Sequence, residues 1–310
     1  MRKYFKIEVI ILLFLILFFV NGKDFSAEPG FEFLMNEVGA RPAALAGAFV
    51  GIEGDLNSIF YNPAGIATLK NKTGTITYLN HLLDINAGVV GYAQPVLNRG
   101  VLGIGINYLN YGDLEGRTEE GFETGTFGAY DYAVTLSYAD KVFNNIKAGI
   151  SAKFINSKIE NYSASAVALD LGFIYRIEKH KANIGFSLIN IGSSTKAFIE
   201  TKESLPSQIK GGFSKELAHL PVILSIEIRR FNDNKFQYLG GGEIIFNDKI
   251  KGRFGYNSNG KDQHFGITDD TFAGFSLGLG FAWREFNLDY AFSSMGGIGS
   301  QNRFTLTREF

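Results

Sequence analysis

The stretch FSLGLGFAWREFNLDYAF, residues 275–292, decides the fold class, because large apolar side chains occupy every second position in it. From Phe275 to Trp283 these side chains alternate with serine, glycine and alanine. After the short junction Arg284–Glu285 the alternation resumes and continues to Phe292. A period of two predicts β-strands with one apolar face.

The same alternation recurs from about Thr73 onward, for example in IKAGISAKFI (146–155) and AVALDLGFIYRI (166–177). The segments run to about ten residues, which exceeds the average soluble strand and matches the 9–11 residues of a tilted membrane-spanning strand. About fourteen strands are predicted, an even number as outer-membrane barrels require. They lie near 73–80, 85–94, 100–110, 129–140, 146–159, 163–178, 181–190, 207–217, 220–231, 236–246, 250–257, 271–283, 285–293 and 301–310.

The second face of these strands carries small residues and scattered charges. The charged positions are Lys147, Lys153, Asp170, Glu227, Glu243 and Arg253. Small and charged residues suit a narrow hydrated lumen, while a face of Phe, Tyr and Leu suits lipid. The alternative is a secreted β-sandwich with a large aromatic core. Strand length and the character of the second face favour an all-β transmembrane barrel.

The connections between strands alternate in length. EKHK (178–181), AHL (218–220) and NDK (247–249) are tight, whereas 111–128, 191–206 and 257–270 are long. Outer-membrane barrels have short periplasmic turns and longer outer loops. Starting the first strand from the periplasm places the long links outside, with the short link near residues 81–84 as an exception.

Composition and motifs point away from catalysis. A net charge of -1 gives no basic face for nucleic acid, and the chain has no Cys and only four dispersed His residues. Neither a metal-binding HExxH pair nor a GxSxG elbow occurs. We expect no enzyme activity, cofactor or metal. Acidic residues in the predicted outer loops are read as solvated, or as contacts to cations that bridge lipopolysaccharide: Glu115, Glu119, Glu120, Glu123, Asp269 and Asp270.

The first residues resemble an export signal. Arg2, Lys3 and Lys6 precede an apolar run that is shorter than a spanning helix needs, and small residues follow it. Residues 1–27 are therefore predicted to be a signal peptide cut after Gly22 or Ala27. An uncleaved anchor is the alternative. Export places the predicted barrel in the outer membrane of a Gram-negative cell.

Residues 28–72 differ from the strands in being rich in Ala and Gly. In YNPAGIATL (61–69), Asn62 and Pro63 are predicted to be the cap and the first residue of a short helix. The Asn side chain can accept a hydrogen bond from a backbone N–H of the first turn. Pro lacks a backbone N–H, but at the first helical position that group has no partner within the helix. Composition fits a plug inside the barrel of residues 73–310, or a cap over one of its mouths.

The block GARPAALAGAFVGIEGDLNSIFYNPAGIATL (39–69) resembles the N-terminal signature of the PorV/PorQ family of outer-membrane proteins, which is similar to the fatty acid transporter FadL. The matching positions are Gly39, Ala40, Arg41, Gly47, Ala48, Asp55, Asn62, Pro63 and Ala64. Later stretches resemble the PorQ branch of the family in particular, among them INYLNYGDLEG (106–116), SKELAHLPV (214–222) and DDTFAGFSLGLGF (269–281). The resemblance implies a FadL-like barrel of fourteen strands with a small N-terminal plug, or hatch, that contains short helices.

The resemblance also implies a function and partners. PorV and PorQ belong to the type IX secretion system, in which PorV helps carry cargo to the sortase PorU and PorQ associates with PorZ. It therefore implies a non-enzymatic secretion or surface-attachment component whose partners are outer-membrane lipid, PorZ-like or PorU-like surface proteins and lipopolysaccharide. The FadL side of the resemblance implies the alternative, a transporter of hydrophobic small molecules.

The final stretch NRFTLTREF (302–310) alternates Phe304, Leu306 and Phe310 with polar residues. A last strand with a final aromatic residue is the kind of signal that outer-membrane insertion machinery is thought to recognise. We expect these three residues to form the barrel-insertion signal.

Overall fold

The computed structural model describes residues 30–80, 85–96, 100–263 and 272–310. Its strands are β1 (Thr73–Asn80), β2 (Asn86–Pro95), β3 (Val101–Arg117), β4 (Glu123–Phe143), β5 (Ile146–Ile159), β6 (Tyr162–Ile177), β7 (Ala182–Lys196), β8 (Gln208–Glu216), β9 (Val222–Phe231), β10 (Phe236–Ile245), β11 (Ile250–Asn257), β12 (Phe275–Trp283), β13 (Phe286–Ser294) and β14 (Ser300–Glu309). Consecutive strands pair antiparallel, and β1 pairs with β14 to close the barrel. The predicted all-β barrel is confirmed.

Some sequence predictions fall outside this description. They are the signal peptide at 1–27, the short link at 81–84 and the acidic pair Asp269–Asp270.

The alternation in the sequence becomes the two faces of the wall. In β12, Leu277 and Leu279 point outward and are 59% and 61% exposed, whereas Ser276 faces inward and is 5% exposed. The same division holds in β5, where Ile150 and Phe154 are outward and exposed. An apolar outer band over an inward polar face is the pattern of a barrel that sits in lipid.

We call the barrel end that carries the β3–β4, β7–β8 and β11–β12 connections the loop end, and the opposite end the turn end. The β4–β5, β6–β7 and β12–β13 connections at the turn end are short. The length rule for outer-membrane barrels predicts that the loop end faces the cell exterior.

Strands β3, β4 and β7 are longer than the sequence pattern predicted. Residues 111–128 were expected to be an open link, yet Asp113 pairs with Gly128 and Gly116 with Gly125 in a continuing ladder. β7 likewise runs to Lys196 and not to about residue 190. The apolar alternation ends where a strand no longer needs an apolar face toward lipid. Backbone pairing does not depend on that alternation, so it continues beyond it.

Residues 30–69, which we call the inner segment, lie inside the barrel. They form three 3-10 turns (Glu32–Met35, Leu56–Phe60 and Pro63–Thr68) and one short helix, α1 (Ala40–Ala44). α1 contacts β11 to β14, whereas the Pro63–Thr68 turn contacts β3 to β6 across the lumen. None of the helices in the described ranges has the length and apolar character needed to span a membrane.

The buried apolar side chains form a core between the inner segment and the wall. One cluster, at the loop end, contains Phe31, Phe33, Leu79, Leu109, Ile155 and Leu205. A second, at the turn end, contains Leu56, Ile59, Ile66 and Val101, and a third around Leu45, Phe49 and Tyr61 lies between them. The core of this protein is therefore the lumen itself.

Candidate functional site

The inner segment spans the lumen from one mouth to the other. At the loop end, the backbone N–H of Gly30 donates to the carbonyl of Ser204 in the β7–β8 connection over 3.0 Å. At the turn end, Glu53 forms an ion pair with Lys147 of β5, with 2.6 Å between Oε2 and Nζ. The candidate functional site is the interface between this segment and the wall.

Arg41 of α1 is the centre of the first ion-pair cluster. Its Nε and Nη2 donate to the two carboxylate oxygens of Glu243 on β10 at 2.9 and 2.8 Å, and Nη1 donates to Asp55 at 2.9 Å. Glu243 also accepts from Arg253, which in turn donates to Asp289. Burial alone would lower the pKa of Arg41, but Glu243 and Asp55 hold that pKa above its usual value.

A second cluster forms around Arg229 of β9, whose guanidinium reaches three acceptors. Nε donates to Glu227 at 2.6 Å, Nη1 to Glu37 at 2.8 Å and Nη2 to the carbonyl of Gly47 at 2.6 Å. Burial alone would raise the pKa of Glu37, but the charges of Arg229 and Lys210 outweigh burial and lower it. A wall arginine thus joins both ends of the Glu37–Gly47 part of the inner segment.

Side chains of β9 also bind the backbone of the inner segment. The second carboxylate oxygen of Glu227 accepts the consecutive N–H groups of Phe49 and Val50 at 2.9 and 2.8 Å. Ser225 donates to the carbonyl of Ala48 at 2.6 Å. The wall therefore supplies hydrogen bonds to those buried backbone groups at residues 48–50 that lie outside the turns of the inner segment.

Asn62 ties the Pro63–Thr68 turn to its surroundings. Its Oδ1 accepts from the N–H of Ala64 at 3.2 Å, which caps the turn, and Pro63 is the first residue of that turn. Its Nδ2 donates to the carbonyls of Val50 at 2.7 Å and Phe173 of β6 at 3.1 Å. The side chain is fully buried and serves local structure and wall contact together.

Glycines on the inward face let the inner segment come this close. A Cβ on Gly149 of β5 would lie 2.5 Å from the amide nitrogen of Ala64, and a Cβ on Gly185 of β7 would overlap the carbonyl of Val50. Since backbone atoms cannot move aside like a flexible side chain, these positions accept only glycine. This accounts for Gly within otherwise regular strands.

The structure brings the motif residues of the inner segment together against the wall. Gly39 precedes α1 with a positive φ of 83°, and the N–H of Ala40 donates to Thr305 of β14 at 2.8 Å. Gly47 has a positive φ of 84°. Asp55 caps the Leu56–Phe60 turn by accepting from the N–H of Asn57 at 2.8 Å, besides pairing with Arg41.

The predicted insertion residues lie apart from this interface. Phe304, Leu306 and Phe310 are on the outer surface and are all exposed. The N–H of Phe310 donates to the carbonyl of Lys72, next to the start of β1.

Sequence reasoning missed the wall partners of the motif. Glu227 and Glu243 were assigned to the lumen, but their pairing with the inner segment was not foreseen, and Glu37, Glu53 and Arg229 were not singled out. The available signal was a charged residue at an inward position of a membrane-spanning strand, which requires a partner because an isolated buried charge is costly.

A polar cavity of about 30 Å³ remains at the middle of the lumen. It lies between the Leu34–Val38 part of the inner segment and β4, β5, β8 and β9, and its polar lining includes Glu37, Thr135, Lys153, Gln208, Lys210 and Arg229. Within the described ranges, no group of three or more His, Asp or Glu side chains is arranged to hold a metal ion.

Comparisons with known proteins agree with this architecture. The profile of the family described as "Type IX secretion system protein PorV" matches residues 26–205, more than half of the chain. No curated protein matches the chain.

Solved structures of similar fold include two toluene transporters and a FadL homologue. The toluene transporter TbuX of Ralstonia pickettii has a TM-score of 0.60 at 13% identity, over 90% of this chain and 100% of its own. The toluene transporter TodX of Pseudomonas putida has a TM-score of 0.59 at 9% identity, over 88% of this chain and 96% of its own. A FadL homologue of Pseudomonas aeruginosa has a TM-score of 0.57 at 12% identity, over 88% of this chain and 98% of its own. These identities are low, so the likeness concerns the fold; by the family match, the chain belongs to the PorV family and is a FadL-like outer-membrane β-barrel.

Proposed function

We propose that this chain is a non-enzymatic outer-membrane component of a type IX secretion or surface-attachment system, and that it binds PorZ-like or PorU-like proteins at the cell surface. The filled lumen is the observation that carries this proposal. Beside the inner segment, the central cavity has a volume of only about 30 Å³ and a charged lining. That space suits one or two water-sized particles and not a hydrophobic solute. The function is therefore assigned to the outer surface.

The surface that we assign to partner binding is the outer hairpin, residues 111–128. β2 and β5 stop pairing at Asn110 and Ala129. Apart from one further bond, from the N–H of Glu160 to the carbonyl of Gly128, β3 and β4 pair only with each other beyond these residues in the described chain. Five carboxylates and one arginine lie on the hairpin, and Phe122 near its tip is 72% exposed. Free strand edges, negative charge and an apolar tip suit a partner with a basic, extended segment.

Replacing residues 113–127 by a two-residue Asn-Gly turn tests this assignment. We expect the barrel to insert normally and cargo secretion to fall at least about tenfold, as the loss of about 1.4 kcal/mol of binding free energy implies. Secretion and barrel insertion are measured in the same cells. As a control, the outer turn Gly296–Ile298 is replaced by a Gly-Ser linker, which should leave secretion unchanged. Normal secretion by the hairpin variant would contradict the assignment.

The second candidate function is transport of hydrophobic small molecules. It is supported by the fold likeness to toluene transporters and by the apolar cluster at the loop end, which contains Phe31, Phe33, Ile155 and Leu205. Deleting the gene and assaying cargo secretion and hydrophobic-solute uptake separates the two functions. Intact secretion with lost uptake would select the transporter.

We further propose that residues 28–72 act as a plug. The charged and capping side chains of the motif, Arg41, Asp55 and Asn62, would hold this plug in the barrel, and Gly39, Ala40, Gly47, Pro63 and Ala64 would set its backbone path. The hydrogen bonds and ion pairs described above support these roles.

We also propose that Phe304, Leu306 and Phe310 are the barrel-insertion signal. Replacing Phe310 by alanine should reduce the amount of inserted barrel, because an apolar contact at the β1–β14 seam is lost during assembly. The heat resistance of the barrel that does insert should change little, since the side chain is 62% exposed. Quantitative gels of heated and unheated outer membranes measure both. An unchanged amount of inserted barrel would remove Phe310 from the signal.

A further inference from the structure

The central cavity is bordered by four polar groups that lack a partner among the described residues. Glu37 Oε2, Thr135 Oγ1 and Gln208 Oε1 are buried atoms without a hydrogen bond. Lys210 is 4% exposed, and its ammonium group lies over the ring of Tyr61 without an ion pair to any described carboxylate. Unpaired polar groups of this kind are rare in a folded interior, and their convergence on one cavity indicates a ligand.

Neighbouring groups do not supply the missing partners. The hydroxyl of Tyr61 lies beside Glu37, but its single proton is donated to the carbonyl of Val38 at 3.0 Å, and the oxygen accepts from the N–H of Val38 at 2.7 Å. Lys153 pairs with Asp170 at 2.8 Å and donates to Asn190, also at 2.8 Å. Both sets of neighbours are therefore engaged elsewhere.

Lys210 is the one cation of the cavity lining without a carboxylate partner among the described residues. The other two lining cations are paired: Lys153 with Asp170 at 2.8 Å, and Arg229 with Glu37 at 2.8 Å and with Glu227 at 2.6 Å. A buried ammonium group without a counter-ion is costly, so the site of Lys210 favours an anion.

We propose that the central cavity binds one small monovalent anion of the halide class, held by the ammonium of Lys210. The volume of about 30 Å³ accommodates about two water-sized particles, one anion and one water. The anion would accept from Lys210 and from the hydroxyl of Thr135. The water would donate to Glu37 Oε2 and Gln208 Oε1. This occupancy gives each of the four groups a partner and gives the ammonium of Lys210 a counter-ion.

The anion would also take part in holding the inner segment, because Glu37 borders the cavity and pairs with Arg229. Halide binding is therefore expected to stabilise the folded barrel. Large anions such as gluconate cannot enter a cavity of this size, so they serve as the control at equal ionic strength.

Bromide tests the site directly. Crystals of the detergent-solubilised protein grown in sodium bromide should show an anomalous peak beside Lys210. In thermal unfolding, each tenfold rise in bromide above its dissociation constant should raise Tm by about 3 °C relative to gluconate. The absence of both the peak and the bromide-specific rise would overturn the proposal and leave water as the occupant.

Lys210→Met supplies the matching variant, since it removes the unpaired ammonium group and keeps most of the side-chain volume. It should fold, lose the anomalous peak and lose the bromide-specific rise in Tm. Lys215→Met, on the same strand and away from the cavity, should keep both. If Lys210→Met fails to fold, Lys210→Gln replaces it. A bromide response that survives removal of the ammonium overturns the assignment.

Discussion

Replacing Arg41 by methionine should destabilise the seated inner segment by about 3–5 kcal/mol, the usual cost of removing one partner of a buried ion pair. The variant leaves the carboxylate of Asp55 without its arginine and leaves Glu243 with Arg253 alone. Methionine keeps the volume of the stem, so the loss comes from charge and hydrogen bonding. We expect single barrels in planar bilayers to show a larger or more frequent open conductance, and the purified barrel to unfold at a lower temperature.

Arg117→Met is the matched control for this experiment. Arg117 also pairs with carboxylates, Glu115 and Glu123, but all three side chains are more than half exposed. An exposed pair contributes about 0–1 kcal/mol, so stability and conductance should remain close to those of the wild type. Equal effects of the two substitutions would show that Arg41 does not secure the inner segment.

The strands were predictable from the sequence wherever the wall has a lipid face and a lumen face. β5 begins and ends at the predicted residues because its alternation runs through the membrane without a break. β3 and β4 were underestimated because residues 111–128 have no buried face to produce a pattern. Periodicity reports burial, and backbone pairing can continue without it.

The inner segment was predictable only in part. The Asn62–Pro63 cap follows from local chemistry, and the structure has that cap. The pairing of Arg41 with Glu243, which joins residues 202 positions apart, leaves no trace in local sequence. Charged residues at inward positions indicate that partners must exist. The identity of those partners depends on the path of the irregular inner segment through the lumen. Such long-range pairing needs the three-dimensional structure.

A single added methyl group at Gly185 should unseat the middle of the inner segment. In Gly185→Ala the new Cβ would overlap the carbonyl of Val50, and that carbonyl also accepts from Asn62 at 2.7 Å. The adjoining carbonyl of Gly51 is held by Asn183 at 3.0 Å and by Ser214 at 2.7 Å. Because these contacts fix the backbone of the inner segment, it cannot shift without losing hydrogen bonds. Overpacking by the added methyl group itself costs about 1–3 kcal/mol of stability, and the lost hydrogen bonds add to that cost.

Gly240→Ala separates this steric effect from the general effect of alanine in a strand. Gly240 lies on β10, and the nearest atom to an added Cβ is the carbonyl oxygen of Ser225 at 4.0 Å. We expect Gly185→Ala to increase conductance and entry of large antibiotics while the barrel still inserts. Gly240→Ala should behave as the wild type. If Gly185→Ala inserts and remains as closed and as stable as Gly240→Ala, the close approach of Val50 to β7 does not hold the inner segment in place, and residues 28–72 would lose their assignment as a plug seated by backbone contact.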